Sequence, residues 1–214
     1  MASDDAELKD RLLVAAQHLF AQHGRDGVSL RDIAELARAT HGSIRHHYGT
    51  KDNLYLAALM QLPSIGDLDK EAPLPPEATL SPSEGEQQLR LFVHQFVAFQ
   101  TKAGRHQVAA MGLIRAEMSR EDGPDPVFYK RVISPGHDRI KGLVRSIRPD
   151  IDDEDVLEIL TFNIIFQCVM MRIGQGIVLK RLKRRRLTKK DIAQIADVIT
   201  EVTLFGLRQY RHDR

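Results

Sequence analysis

The chain has 214 residues, 43% of them apolar, with one cysteine, no tryptophan and a formal net charge of +2. That length allows one large domain or a small domain joined to a larger one, and the apolar content can build a core without disulfides or metal, which excludes disordered and disulfide-built classes. Apolar runs fall short of the roughly 18 residues that span a bilayer, and the acidic start MASDDAELKD is unlike a signal peptide, so the reading is a soluble cytoplasmic protein with no membrane partner.

Apolar residues recur at helical spacing and never at strand spacing, which predicts an all-α fold. The first helix begins after Ser3, carries Leu8, Leu12, Ala15, Leu19 and Phe20 on one face, and ends at Gly24. Ser29 opens a second helix with Asp32 in the capping-box place, and Ile33, Ala34 and Ala37 form its buried face. Thr40 caps a short third helix that runs to Tyr48, and after Gly49 a fourth opens at Thr50 and carries Leu54 and Ala58. Five prolines between Pro63 and Ser83 predict a loop. Helices follow over 84–102 and 106–119, then one from Pro126 that Ser134-Pro135-Gly136 kinks or breaks before Ile147. Two long helices end the chain: 153–179, apolar on most sides as a helix packed between others would be, and one opened by Thr188 with Asp191 three residues on. The expected domains are 1–62, a Pro-rich loop over 63–83, and a larger helical domain over 84–214.

The segment from Ser29 to Tyr48 has the form of a helix-turn-helix, with small Ala34 and Ala37 on the first helix, a tight turn over Arg38 to Thr40, and a second helix opening His41-Gly42-Ser43. Gly42 allows close backbone approach to DNA, and Ser43, His46 and His47 can bond to base edges or phosphates. Lys51 lies at another helix N-terminus, where backbone N–H groups and an ammonium favour a phosphate. From Arg38 to Lys51 there are three fixed positive charges, three histidines (His41, His46 and His47) and no carboxylate. The alternative is a structural three-helix subdomain with a solvated basic face.

These residues resemble the N-terminal domain of TetR-family transcriptional regulators. The resemblance runs through Ala16-Gln17-His18-Leu19-Phe20, Gly24, Ser29, Ile33-Ala34, Ala37 to Tyr48, then Thr50-Lys51 and Leu54, about a fifth of the chain. Arg38 stands where the family's turn has glycine, Arg45 where it commonly has a phosphate-touching tyrosine, and His41 in place of a frequent lysine, which makes that contact partly pH dependent. The segments of Leu113 to Leu182 are weakly similar to the CecR-like subgroup. The resemblance implies a homodimer that binds a double-stranded DNA operator, and a C-terminal domain where a small-molecule effector alters the spacing of two readers. The DNA-binding set is then Ser29, Arg38, Thr40, His41, Gly42, Ser43, Arg45, His46, His47 and Lys51, with Phe20, Ile44 and Tyr48 as packing.

In the larger domain, polar residues interrupt apolar faces, as in small-ligand sites: His94, Arg115 beside Met111, and Asn163 with Gln167 near Met171. Interhelical hydrogen bonds and core filling are the competing account. The stripe Ile192, Ile195, Ala196, Ile199 and Val202 is the expected dimerisation face. Cys168 reads as an inert core thiol, Gly174-x-Gly176 is too short for a dinucleotide site, and the histidines lack partners for a metal. No catalytic set stands out, and no cofactor is implied. Eight Lys or Arg lie between Lys180 and Lys190 with no acid, so removing them from a total of +2 leaves −6. That run is either a solvated, dipole-favoured helix end or a contact for nucleic acid or another anionic partner. A non-specific architectural DNA binder remains the competing function, although it would be expected to carry a strongly positive net charge.

Overall fold

Helical periodicity and well-placed caps produce a chain with no strand among the residues described in the computed structural model, 2–64, 80–101 and 105–211. Its helices are α1 (Ala2–His23), α2 (Leu30–Leu36), α3 (His41–Tyr48), α4 (Lys51–Met60), α5 (Pro82–Thr101), α6 (Arg105–Met118), α7 (Pro126–Phe128), α8 (Ser134–Ile147), α9 (Glu154–Ile173), α10 (Gln175–Arg181) and α11 (Lys189–Gln209), with a π-helical turn over Tyr129–Ile133. They fall in two compact units, one within Met1–Ser64 and Ala103–Ser134, the other within Ile65–Lys102 and Pro135–Arg214.

In the first unit α1 is the axle. Leu12, Ala16 and Phe20 join Ile33 of α2, Ile44 of α3, and Leu54, Ala58 and Leu59 of α4 in one core. Phe20 meets the α4 Tyr55 ring edge-on at 5.0 Å between centroids. The α1 side chain Gln17, itself buried, donates from Nε2 to the Ala58 carbonyl at 3.1 Å, so a polar residue inside the core is satisfied and ties α1 to α4.

By its contacts α6 falls in the first unit, although it lies in the segment expected as the larger domain. This helix packs along α1, with Ala110 and Leu113 in the same core and a Cβ added to Gly112 only 3.2 Å from that of Ala21. A second apolar stripe on α1 draws α6 against it. Tyr55 donates its hydroxyl to the buried Glu117 carboxylate of α6, whose other oxygen accepts from the Asp125 backbone N–H at 2.9 Å. Burial pushes the Tyr55 hydroxyl well above the usual phenol range, so it stays a donor. Tyr55→Phe should cost about 1 to 3 kcal/mol by leaving that carboxylate short of a donor, read as a lower urea midpoint with unchanged slope.

In the second unit Leu89, Phe92, Val93, Phe96 and Val97 of α5 pack with Ile140, Leu143 and Val144 of α8, Leu157 and Ile164 of α9, and Ala196, Ile199 and Leu204 of α11. Helix α5 starts inside the predicted loop: Pro82 occupies its first position, where no N–H is needed, and Ser81 and Glu84 exchange capping hydrogen bonds. Most of that loop lies outside the described residues. The kink expected at Ser134-Pro135-Gly136 takes the form of the π turn just before Pro135, which lacks the N–H an uninterrupted ladder requires.

The helix expected over 153–179 breaks at Gly174, where a Cβ would lie 2.9 Å from the Met170 carbonyl oxygen. Nor is α9 enclosed within its unit: Leu157, Thr161, Ile164 and Cys168 face the core, while Ile159, Phe162, Phe166, Met170 and Ile173 are exposed. By length and composition alone α9 could cross a membrane, contrary to the expectation that no segment would. One core-facing apolar helix of this kind is weak evidence for a span. Burial of Cys168 pushes its thiol up to about 12, as expected of an inert thiol.

Candidate nucleic-acid interface

Local hydrogen bonds build the two-helix reader and a scaffold from α1 holds it. The Ser29 hydroxyl accepts the Asp32 N–H at 3.2 Å, and Asp32 Oδ2 accepts from the Ser29 N–H at 2.9 Å and from its hydroxyl at 2.6 Å. Between the helices, Ala39 N–H reaches back to the Ala34 carbonyl at 2.8 Å and Arg38 takes φ of +52°. This is a left-handed helix stop, in which a side chain costs about 1 kcal/mol. Arg38→Gly should therefore raise stability by up to about 1 kcal/mol in urea unfolding while removing an exposed charge.

Arg11 of α1 donates from Nε to the Ala37 carbonyl at 3.3 Å and so steadies the turn from outside. Thr40 caps α3, its hydroxyl accepting the Ser43 N–H at 3.1 Å and lying 2.8 Å from the Ser43 hydroxyl. Ile44 is fully buried and anchors α3 on the core, leaving His41, Gly42, Arg45 and His46 exposed and Ser43 half-buried. Thr50 caps α4 through the Asn53 N–H at 3.1 Å, which puts the half-buried Lys51 in that helix's first turn.

The predicted residues thus lie along one short segment, but they are not equally available. Arg38, Thr40, His41, Gly42, Arg45 and His46 are exposed. The Ser29 hydroxyl is already engaged by Asp32. His47 is a correction: its side chain is only 6% exposed and its Nε2 lies 3.3 Å from Asp5 of α1, so it braces the reader instead of presenting an edge. Tyr48 also braces it, donating to the Lys9 carbonyl at 3.4 Å. Sequence reasoning missed Arg11 because Glu7 four residues earlier makes it look like a surface ion pair, which it also forms, at 2.9 Å. Asp5 gives no sign of this role in the sequence, because an acid in a helix's first turn is favoured by the helix dipole alone.

The predicted ligand residues are divided between the two units. Met111 and Arg115 are on α6 of the first unit, Arg115 exposed, whereas His94, Asn163, Gln167 and Met171 belong to the second. Gln167 donates to the side chain of the exposed Asn163 at 2.8 Å, and His94 pairs with Asp197 of α11 at 3.1 Å. Met171 alone of the set lines the 370 Å³ cleft between α9 and α11. In the predicted dimerisation stripe, Ala196 and Ile199 are buried in their own unit's core and Ile192 and Ile195 pack against it. Val202 is exposed, together with Val198 and Phe205.

Two family models match the chain. That of the tetR family of bacterial regulatory proteins covers residues 12–58, and that of the C-terminal domain of the HTH-type transcriptional dual regulator CecR covers 85–209. The HTH-type transcriptional repressor AcnR of Corynebacterium jeikeium is 43% identical over 54 residues, 25% of this chain and 29% of its own length. The HTH-type transcriptional regulator QacR of Staphylococcus aureus is 35% identical over 52 residues, 24% of this chain and 28% of its own. The chain therefore matches less than a third of the length of these curated relatives. A tetR-family transcription regulator from Shewanella sp. PV-4 superposes with a TM-score of 0.59 at 14% identity, over 93% of this chain and 97% of that one. AibR, solved in complex with isovaleryl coenzyme A and operator DNA, gives 0.55 at 19% identity over 91% and 97%. At such identities the likeness to solved structures is one of fold.

Proposed function

Because the chain belongs to the TetR family of transcriptional regulators, with a C-terminal domain of the CecR type, we propose that it is a cytoplasmic repressor that binds a palindromic operator as a homodimer and leaves it when a small-molecule effector binds. The observation that carries the DNA part is the exposed, capped N-terminal half of α3, with His41, Gly42, Arg45 and His46 outward and Ile44 fixing the helix on its core. A recognition helix presents its first turns to base edges in this way, while helix N-termini and cations nearby hold phosphates. The name of AcnR as a repressor supports the direction of regulation, and the complex of AibR with isovaleryl coenzyme A and operator DNA supports a small molecule acting beside the operator. Release follows by linkage: an effector that favours the non-binding spacing by about 1 to 3 kcal/mol weakens DNA by roughly 5- to 150-fold, and DNA weakens the effector equally.

Selection of genomic fragments by the purified protein tests this reading. One palindromic sequence should dominate over competitor DNA. His46→Ala or Ser43→Ala should change the preferred base at one position of each half-site, whereas Lys51→Ala should weaken all sequences alike. Recovery of unrelated fragments with equal affinity would identify an architectural binder instead.

A further inference from the structure

The turn joining α10 to α11 is strongly basic, yet it is closed by its own hydrogen bonds. Arg184 N–H closes on the Leu179 carbonyl at 2.9 Å with Lys183 at φ of +53°, and Thr188 exchanges capping hydrogen bonds with Asp191 at the start of α11. Of the eight cations from Lys180 to Lys190, only Arg184 has a carboxylate within 4 Å among the described residues, Asp191 at 3.8 Å. That approach is to Asp191 Oδ1 and is too long for a hydrogen bond, while Asp191 Oδ2 accepts from the Thr188 N–H and hydroxyl, both at 2.8 Å. The Arg184 guanidinium makes no hydrogen bond among the described residues, and the one carboxylate near it, Asp191, is outnumbered by the eight cations of this segment.

Against this turn lies the cleft of about 370 Å³, walled by Met171 of α9, Leu182, and Ile195 and Val198 of α11, with Arg184, Asp191 and Gln194 as its polar lining. Its volume is in the range of roughly 300 to 1,000 Å³ typical of small-molecule sites, and apolar walls with a few polar groups are their usual make-up. No aromatic ring lines it, so it offers no stacking surface for a base. An apolar body would gain from the walls, and a single anionic head would gain the guanidinium donors that the protein leaves unused.

We propose that this cleft binds an amphiphilic organic anion, an apolar chain or ring bearing one carboxylate or sulfonate that pairs with Arg184. The regulatory consequence rests on the effector-responsive reading above; the binding does not. Val198 belongs both to the cleft wall and to the exposed apolar face of α11, so an occupant touches the residue through which that face meets whatever covers it.

Decanoate and decan-1-ol, titrated calorimetrically into the DNA-free full chain at low salt, separate the charge from the apolar body. Decanoate should bind about tenfold more tightly, the worth of one charge-assisted contact. Arg184→Gln should remove that preference while leaving decanol unchanged, and Val198→Trp, which fills the cleft, should weaken both. A diazirine derivative of decanoate should label residues within 171–199. Equal binding of acid and alcohol, labelling confined to 159–170, or no binding because a second copy of the chain covers the cleft would overturn the assignment. Binding at the cleft without any effect on operator affinity would instead count against the effector-responsive reading and leave the site intact.

Discussion

Operator affinity should fall with salt at a slope of about −7 on logarithmic axes, from about four phosphate contacts per reader, eight per dimer, at about −0.9 each. Between 50 and 200 mM salt that amounts to about a ten-thousandfold loss. The expected contacts are made by the exposed Arg38 and Arg45, by Lys51 and the first N–H groups of α4, and by the first turn of α2 at Ser29. Lys51→Ala removes one phosphate contact per reader, so the slope should become shallower by about 2 with base preference unchanged. His47→Ala should act differently: because His47 pairs with Asp5 on α1, its loss loosens how α3 is held and leaves the slope nearly intact. Titration at four salt concentrations decides the matter, and a wild-type slope near −2 would leave the DNA reading without support.

What was legible in the sequence was local. Ser29 with Asp32, Thr40, Thr50, and Thr188 with Asp191 each announce a helix start by a hydroxyl at the right offset, and each is an N-cap in the fold. The left-handed turn at Arg38 was legible only through the family resemblance, because arginine itself gives no sign of a positive φ. What could not be read was which surface each apolar face meets. Helix α11 has one stripe through Ala196, Ile199 and Leu204 and another through Val198, Val202 and Phe205. Both recur at helical spacing, so periodicity cannot say which faces the chain's own core. The same ambiguity hid the packing of α6 on α1 and the tie from Arg11 to the turn, which depends on two segments 26 residues apart.

The burial of one α11 stripe in its own unit decides where dimerisation can be tested. Ile199 is 6% exposed and packs in the unit's own core, so Ile199→Glu would bury a charge and unfold the domain without reporting on association. The uncovered surface is elsewhere. On α9, Ile159, Phe162, Phe166, Met170 and Ile173 follow the three-and-four spacing of a helix seam, with the Phe162 and Phe166 rings stacked 5.7 Å apart. On α11, which packs against α9, Val202 and Phe205 are also outward, Phe205 at 67% exposure. So many large apolar side chains on two touching helices form the kind of patch that marks an association surface.

Phe166→Glu combined with Val202→Glu should leave the helical fold and its urea midpoint nearly unchanged, since Phe166 is already 49% exposed and Val202 is outward too. At about 2 kcal/mol for a central aromatic residue, counted once in each copy, Phe166 alone should weaken the dimer by about 4 kcal/mol, or about a thousandfold. Light scattering at micromolar concentration should then show a folded monomer, and binding to a two-half-site operator should collapse toward that of a single half-site. A wild-type monomer under the same conditions, or a double variant that remains dimeric and keeps full operator affinity, would remove α9 and α11 as the dimer face.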